Sequence, residues 1–449
     1  MELKLPYAWS PRSYQLSTWN HFVPHFEEKR AVAIAHRRWG KDLLGIQLAS
    51  VASQQRLGTY WHVLPYALQG RAVVWNGIDT MNNRKFLDYF HPKQIESKHE
   101  NEMRVRMVNG SIWQVIGGDD IDRHVGTNPV GVVLSEYALM DPRVWDYIRP
   151  ILRENRGWLF IITTIRGKNH AYKAAKRAEK LMAEGNKNWF YLNQTIDDTG
   201  AVTKEQIDQD REEGMSEELI RQEYYNDADQ AIEGAYYAKE LKKAREDGRI
   251  CTIPYDPKLP VNTYWDIGFG DFTVIVFEQM YGFERRIIDC YANSGEAIPH
   301  YARILKEKGY TYGEHYGPWD VEIKQLAAGG KSVWDVAREL GIRFRVTPQP
   351  ARVEDGIEQV RNIFPSLWFD GAKCERLLEA LGTYRKEPLA IKLQPTGENA
   401  EKAYKDKPLH DWSSHFCDAV RVMAWNTKKR SKWGDHKPQD KAVDNFQYV

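Results

Sequence analysis

The feature that most constrains this chain is a series of five short apolar runs between residues 31 and 164: "AVAIA", "TYWHVLP", "IWQVIG", "GVVLSE" and "WLFIITT". Amphipathic stretches separate them. Strands alternating with helices predict an α/β fold, a mostly parallel sheet covered on both faces. A second pattern starts near residue 260. There "NTYWDIG", "FTVIVFEQM" and "RRIIDCYAN" read as three strands in a row. The Pro-containing stretch "EDGRICTIPYDPKLP" between the two patterns is the candidate domain boundary. At 449 residues the chain has room for two or three domains.

The first apolar run leads into "AHRRWGKD" and then "LLGIQLAS". A strand, a tight loop with Gly-Lys and a helix are the layout of a phosphate-binding P-loop. In such a loop backbone N–H groups and the helix N-terminus surround the phosphates, and a lysine reaches their oxygens. Gly40 and Lys41 keep those functions. Ala35 stands where the pattern has its first glycine, and Asp42 where it has a Mg²⁺-binding hydroxyl. A carboxylate also binds Mg²⁺, directly or through water. Arg37 and Arg38 are placed to offset its charge. Taken alone, the match reads equally well as an ordinary strand–helix loop. A P-loop ATPase also needs an acidic residue at the end of another buried strand. "GVVLSEYALM" supplies Glu136, with Ser135 in the place of the usual metal-side aspartate. The carboxylate missing at 135 is present at 42, as if the site had relocated it. "FIITTIRGKNH" adds Thr163 and Thr164 at a strand end, with Arg166 and Lys168 beyond. Gln15, upstream, offers the bidentate amide that suits adenine. One at a time, each of these is also a routine polar strand end or helix start.

The second pattern carries separated aspartates. Asp266 lies on an apolar strand, where a carboxylate is costly unless it is hydrogen-bonded or binds metal. Asp320 follows the strand-like "YGPWD", and Asp411 and Asp418 lie seven residues apart in a helix-like stretch, near one face. Carboxylates at a strand middle, a strand end and a late helix are what an RNase H-like nuclease needs. Such a site holds two Mg²⁺ or Mn²⁺ about 3.5–4 Å apart. Oxygen ligands suit those hard ions better than zinc. Singly, each aspartate reads equally as a turn, a cap or a solvent-facing residue.

Composition sets bounds. Lys plus Arg is 63 and Asp plus Glu is 62, so a polyanion partner has to meet local basic strips. Candidates are Lys324, Lys331, Arg385, Lys386 and "AEKAYKDKP". Four scattered cysteines, Cys251, Cys290, Cys374 and Cys417, suggest neither a zinc site nor a disulfide framework, and fit a reducing compartment. No signal-peptide core or membrane-length apolar run is present, so no membrane partner is expected. The default reading of the sixteen tryptophans is packing.

The order "YQ", "RRWGKD", "YWHVLPYALQGRAVVW", "NGSIWQVIGGDD", "VVLSEYALM", "TTIRGKNHAY", "RQEYYND", then "DIGFGD", "PWD" and "HDWSSHFCDA", resembles the large terminase subunit of tailed bacteriophages. The resemblance covers nearly the whole chain. It implies a P-loop ATPase motor over 1–225, a linker over 226–258, an RNase H-like nuclease over 259–426 and a flexible polar tail over 427–449. It implies that Glu136 is the catalytic carboxylate and Thr163 and Thr164 the coupling motif. It carries Asp266, Asp320 and Asp418 over as the metal-binding carboxylates, with Asp271 and Asp411 as auxiliaries and His415 as a packing or supporting residue. The implied cofactors are ATP with Mg²⁺ at the first site and two Mg²⁺ or Mn²⁺ at the second. The implied partners are double-stranded DNA, a portal protein, a small terminase subunit and further copies in a ring. The implied place of action is the cytoplasm of an infected bacterium, transiently at the procapsid. Two rivals stay open: a helicase–nuclease of repair or recombination, and a non-catalytic DNA clamp with a decayed nucleotide site.

Overall fold

The computed structural model describes residues 3–124, 126–228, 234–268, 272–323, 332–348, 351–388 and 404–427. Asp271, Lys324, Lys331, residues 400–403 of the "AEKAYKDKP" segment and residues 428–449 lie outside the described residues.

The apolar runs become strands of one eight-stranded sheet. Across the sheet the order is Trp189–Gln194, Arg30–Ala35, Trp158–Thr163, Pro129–Ser135, Thr59–Leu64, Ile112–Gly117, Arg104–Met107, Ile95–His99. All neighbours from the first strand to Ile112–Gly117 pair in parallel. The last two strands add an antiparallel edge. Alternation sorts the central strand between two cores. Ala31, Ala33 and Ala35 pack on the side of the helix Lys41–Gln55, and Val32 and Ile34 on the other. The strand ending at Thr163 lies between the Arg30–Ala35 strand and the strand ending at Ser135. The carboxyl ends of all three therefore open on one edge, where ligands of parallel sheets bind.

The second sheet has seven strands, in the order Ile250–Cys251, Leu367–Asp370, Glu284–Ser294, Phe272–Tyr281, Val261–Asp266, Tyr312–Gly317, Phe344–Val346. Three long strands form an antiparallel meander. Tyr312–Gly317 then pairs in parallel with Val261–Asp266, and Phe344–Val346 in parallel with that. Counted in chain order from Val261, this is the 3-2-1-4-5 arrangement of RNase H-like folds, extended at one edge. The helix Trp412–Trp425 packs against the central strands. Both sheets meet the α/β expectation.

The stretch between the two patterns is not all connection. Tyr236, Tyr237, Leu241 and Ala244 are buried in the second core, and Ile250–Cys251 pairs with Leu367–Asp370. The second body therefore gathers chain from well upstream of residue 259. Trp39, Trp61, Trp113 and Trp265 are almost wholly buried, which is packing. No helix of the described residues is long and apolar enough to cross a membrane.

Candidate functional site

The loop after Ala35 is held from several sides. Its backbone takes positive φ at Arg38 (72°) and at Gly40 (87°). A Cβ on Gly40 would sit 3.1 Å from the Gln15 amide nitrogen, so both backbone angle and space favour glycine. Trp39 is buried and its indole N–H donates to Gln194 Oε1 at 2.7 Å. Gln15 donates from Nε2 to the Trp39 carbonyl at 2.9 Å and accepts at Oε1 from the Arg12 N–H at 3.0 Å. Both ends of the amide expected to face adenine are thus taken up in bracing the loop. The side chains of Arg37 and Arg38 are exposed.

Lys41 is the first residue of its helix and is buried. Its ammonium donates to Thr164 Oγ1 at 2.8 Å and to Glu136 Oε1 at 3.1 Å. Glu136 takes a left-handed conformation, φ 55°, where the strand turns into a 3₁₀ turn. Its second oxygen, Oε2, is buried without a partner. A buried carboxylate oxygen left without a donor is costly unless something else supplies one. Thr163 Oγ1 accepts from the Ala138 N–H at 3.2 Å. Asn169 caps the next helix and donates to the Ala138 carbonyl, and His170 bonds the Tyr137 carbonyl at 2.7 Å. The turn after Glu136 is therefore clamped by residues following Thr164. Asp42 Oδ1 accepts from Ser135 Oγ at 2.6 Å and from His62 Nε2 at 3.1 Å. Burial works against its charge, but the bonds from His62 and Ser135 and the charge of Lys41 outweigh it and hold its pKa below the ordinary value. His62 was not singled out by the sequence. Its signal was a polar residue inside a strand otherwise buried on both faces, where it needs a partner.

The second cluster lies at the end of the Val261–Asp266 strand. Asp266 Oδ2 is 3.0 Å from His415 Nδ1 on the helix Trp412–Trp425. Asp418, on the same helix, pairs with Arg421. Asp320 lies in a 3₁₀ turn just past the neighbouring parallel strand. All three carboxyls have raised pKa. Burial raises Asp418 to about 6, with the Asp266 charge adding and Arg421 opposing. Burial raises Asp266, with His415 opposing and Asp320 adding. Burial raises Asp320. Asp266 and Asp418 are half-buried and Asp320 is exposed, and like charges that raise one another in this way are the donor set a hard divalent cation relieves. Among the described residues no group of three or more metal-ligating side chains is drawn close enough to hold one ion. Asp411 lines the same cavity as His415. It caps the helix, accepting from Ser413 N at 2.9 Å, and its other oxygen meets Arg385 at 3.5 Å.

The two bodies touch near both sites. Arg376 bonds Asp141 at 3.1 Å, and Arg143 lies 3.6 Å over the Phe272 ring. Lys173 pairs with Glu375 and Glu379. A cavity of about 340 Å³ between the bodies is lined by Asp119, Asp141, Phe272 and His415, among others.

No family model matches the sequence. The chain is similar to the large terminase subunit of Escherichia phage T5, at 23% identity over 355 residues, covering 75% of this chain and 74% of that protein. Among solved structures it is similar to the large terminase of bacteriophage HK97, at 9% identity over 92% of each chain with a TM-score of 0.40. It is also similar to the large terminase ATPase domain of Thermus phage P74-26, at 21% identity over 49% of this chain and 94% of that one, TM-score 0.37. The resemblance read from the order of motifs stands.

Proposed function

We propose that this chain, which resembles a large terminase subunit, is the ATPase and nuclease of a phage DNA-packaging motor. The observation that carries the reading is the convergence of Lys41, Thr164 and Glu136 within hydrogen-bond reach at the carboxyl edge of one parallel sheet. Three segments far apart in sequence supply them. In this reading Lys41 holds the phosphates of ATP. Phosphate oxygens compete with Glu136 for the Lys41 ammonium, which frees Glu136 to orient the attacking water. Arg37 and Arg38, exposed on the loop, meet the charge that develops in the transition state. Thr163 and Thr164 relay the state of the site to the turn after Glu136, and the work moves double-stranded DNA through a portal ring into the procapsid.

The second body is the proposed endonuclease, with Asp266, Asp320 and Asp418 as ligands of divalent ions and Asp271 as an auxiliary. The raised carboxyl pKa values favour a site completed by cations. Two such ions, when bound, activate water and stabilise the leaving 3′ oxygen of the phosphodiester. His415 steadies Asp266 from behind. A small terminase subunit, a portal protein and further copies of the chain are the proposed partners, in the cytoplasm of the infected host.

The test is plasmid cleavage with Mg²⁺ or Mn²⁺ and ATP hydrolysis with DNA, both on full-length protein. Metal-dependent cutting lost in Asp266→Ala and Asp418→Ala, with ATP turnover lost in Glu136→Gln, is the expected result. Cutting that persists in both aspartate variants sinks the nuclease assignment. Strand displacement on a forked duplex points to a helicase instead. Absence of nucleotide turnover in the presence of DNA and portal points to the clamp.

A further inference from the structure

We propose that the metal-side pair of the nucleotide site is exchanged in this chain: Asp42 on the helix carries the carboxylate, Ser135 on the strand carries the hydroxyl, and His62 is the positioning residue that orients Asp42. The inference rests on the nucleotide-site reading and deepens it.

In P-loop NTPases the helix supplies a hydroxyl and the neighbouring acidic strand a carboxylate, and the two share one Mg²⁺. Here the chemical groups at those two positions are reversed. Had Asp42 been an isolated replacement, nothing would tie it to position 135. Instead the two side chains touch, Ser135 Oγ donating to Asp42 Oδ1 at 2.6 Å. The same two groups sit in the same two places with their owners swapped. The helix is also the better home for the anion. Asp42 is the second residue of a fifteen-residue helix, where unpaired N–H groups and the dipole favour negative charge.

His62 explains how the carboxylate is aimed. It is wholly buried in the strand Thr59–Leu64 and donates from Nε2 to Asp42 Oδ1 at 3.1 Å. Among the described residues its Nδ1 has no partner and Asp42 is its polar anchor. Both donors meet the same oxygen. Oδ2 accepts no hydrogen bond from the described residues and is left as the donor atom for a cation. The helix is seated closely enough for this by Gly45, where a Cβ would lie 3.0 Å from Val133 Cγ1 and 3.3 Å from His62 Cε1. Lys41, Asp42, Ser135 and Glu136 then line one edge, an oxygen-rich set that fits Mg²⁺ beside a phosphate-binding ammonium.

The experiment is binding of a fluorescent ADP or a slowly hydrolysed ATP analogue to full-length protein, with Mg²⁺ and with EDTA. Wild type is expected to bind about tenfold or more tightly with the metal, a gain of about 1.4 kcal/mol or more. Asp42→Asn keeps an oxygen for both hydrogen bonds and removes only the charge, so the fold is retained. It is expected to lose the Mg²⁺ increment, and to bind at least as tightly as wild type in EDTA, since a negative charge beside the phosphates is removed. Asp42→Ser combined with Ser135→Asp is expected to restore the increment, and Ser135→Asp alone is not. His62→Leu is expected to shrink the increment several-fold, and His62→Gln, which keeps an N–H donor, to recover it. A full Mg²⁺ increment in Asp42→Asn overturns the exchange while leaving the ATPase reading standing. Failure of wild type to bind nucleotide under any condition overturns both.

Discussion

The two polar clusters of this molecule are built on opposite principles. At the first, the protein supplies both signs of charge: the Lys41 ammonium meets Glu136, and Asp42 is met by Ser135 and His62. At the second, three carboxyls of one sign, Asp266 and Asp418 half-buried and Asp320 exposed, have Arg421 and His415 as partial counterweights, and desolvation drives their pKa up. A site balanced within the protein can hold its shape before any ligand arrives. A site with an excess of one charge stores repulsion that a cation discharges. Under the proposed function the first is a lock for a nucleotide to open, and the second a socket for metal to complete.

The contrast can be broken from either side. The largest effect is expected from Glu136→Gln, which removes the carboxylate proposed to orient water. ATP turnover should fall about 10²–10⁴-fold, while plasmid cleavage in Mn²⁺ without ATP should be kept. Equal loss of both activities would show that the clusters are not independent.

The next concerns pH and metal together. A carboxyl whose folded pKa exceeds its unfolded value binds its proton more tightly when folded. For Asp418, at about 6 in the fold, stability without metal should fall as pH rises from about 4 to about 6. Mn²⁺ should therefore raise the melting temperature of the second region by a few degrees at pH 8 and much less at pH 5. Asp418→Asn should abolish that difference. A Mn²⁺ shift independent of pH would break the socket description.

Smaller effects test how tightly the first site is assembled. Gly45→Ala should cost about 1–3 kcal/mol, because its methyl presses on Val133 and His62. The expected readout is a lowered melting transition with weaker Mg²⁺-dependent nucleotide binding. Gln15→Ala leaves the Trp39 carbonyl only the longer bonds from Arg12 and Tyr14, both at 3.5 Å, and removes the acceptor of the Arg12 N–H, a cost of about 1–3 kcal/mol. Loosening of the loop should raise KM for ATP with kcat little changed.

The sequence made the strand ends visible because short apolar runs bounded by polar residues are local features. Lys41, Glu136, Thr163 and Thr164 were found that way, and the structure brings them together. Pairings across the sheet were not local. His62 reads as an interruption in "TYWHVLP" until the Asp42 helix is laid over it. Gln15 suggested a ligand contact, because an amide that braces a carbonyl looks the same in sequence as one that grips a base. Asp411 is seven residues from Asp418, which suggested a shared face. The following "WSS" marks it as an N-cap, with its side chain turned back on the helix start. The outermost strand "IESKH" and its neighbour "RVRM" carried too little apolar signal to be seen, since both are short and interleave charged residues.

The contact between Ser135 and Asp42 has a consequence for how such a chain can change over generations. Any route from this arrangement to its mirror passes through one of two single substitutions. One leaves two hydroxyls in contact and no charge to attract a cation. The other sets two carboxylates against each other, and one of them must take up a proton or move away. Neither halfway form has a working pair, so the two positions are expected to be inherited as a unit. A pattern that insists on serine or threonine after the lysine passes over a chain of this kind, whereas a pattern written for the pair would find it.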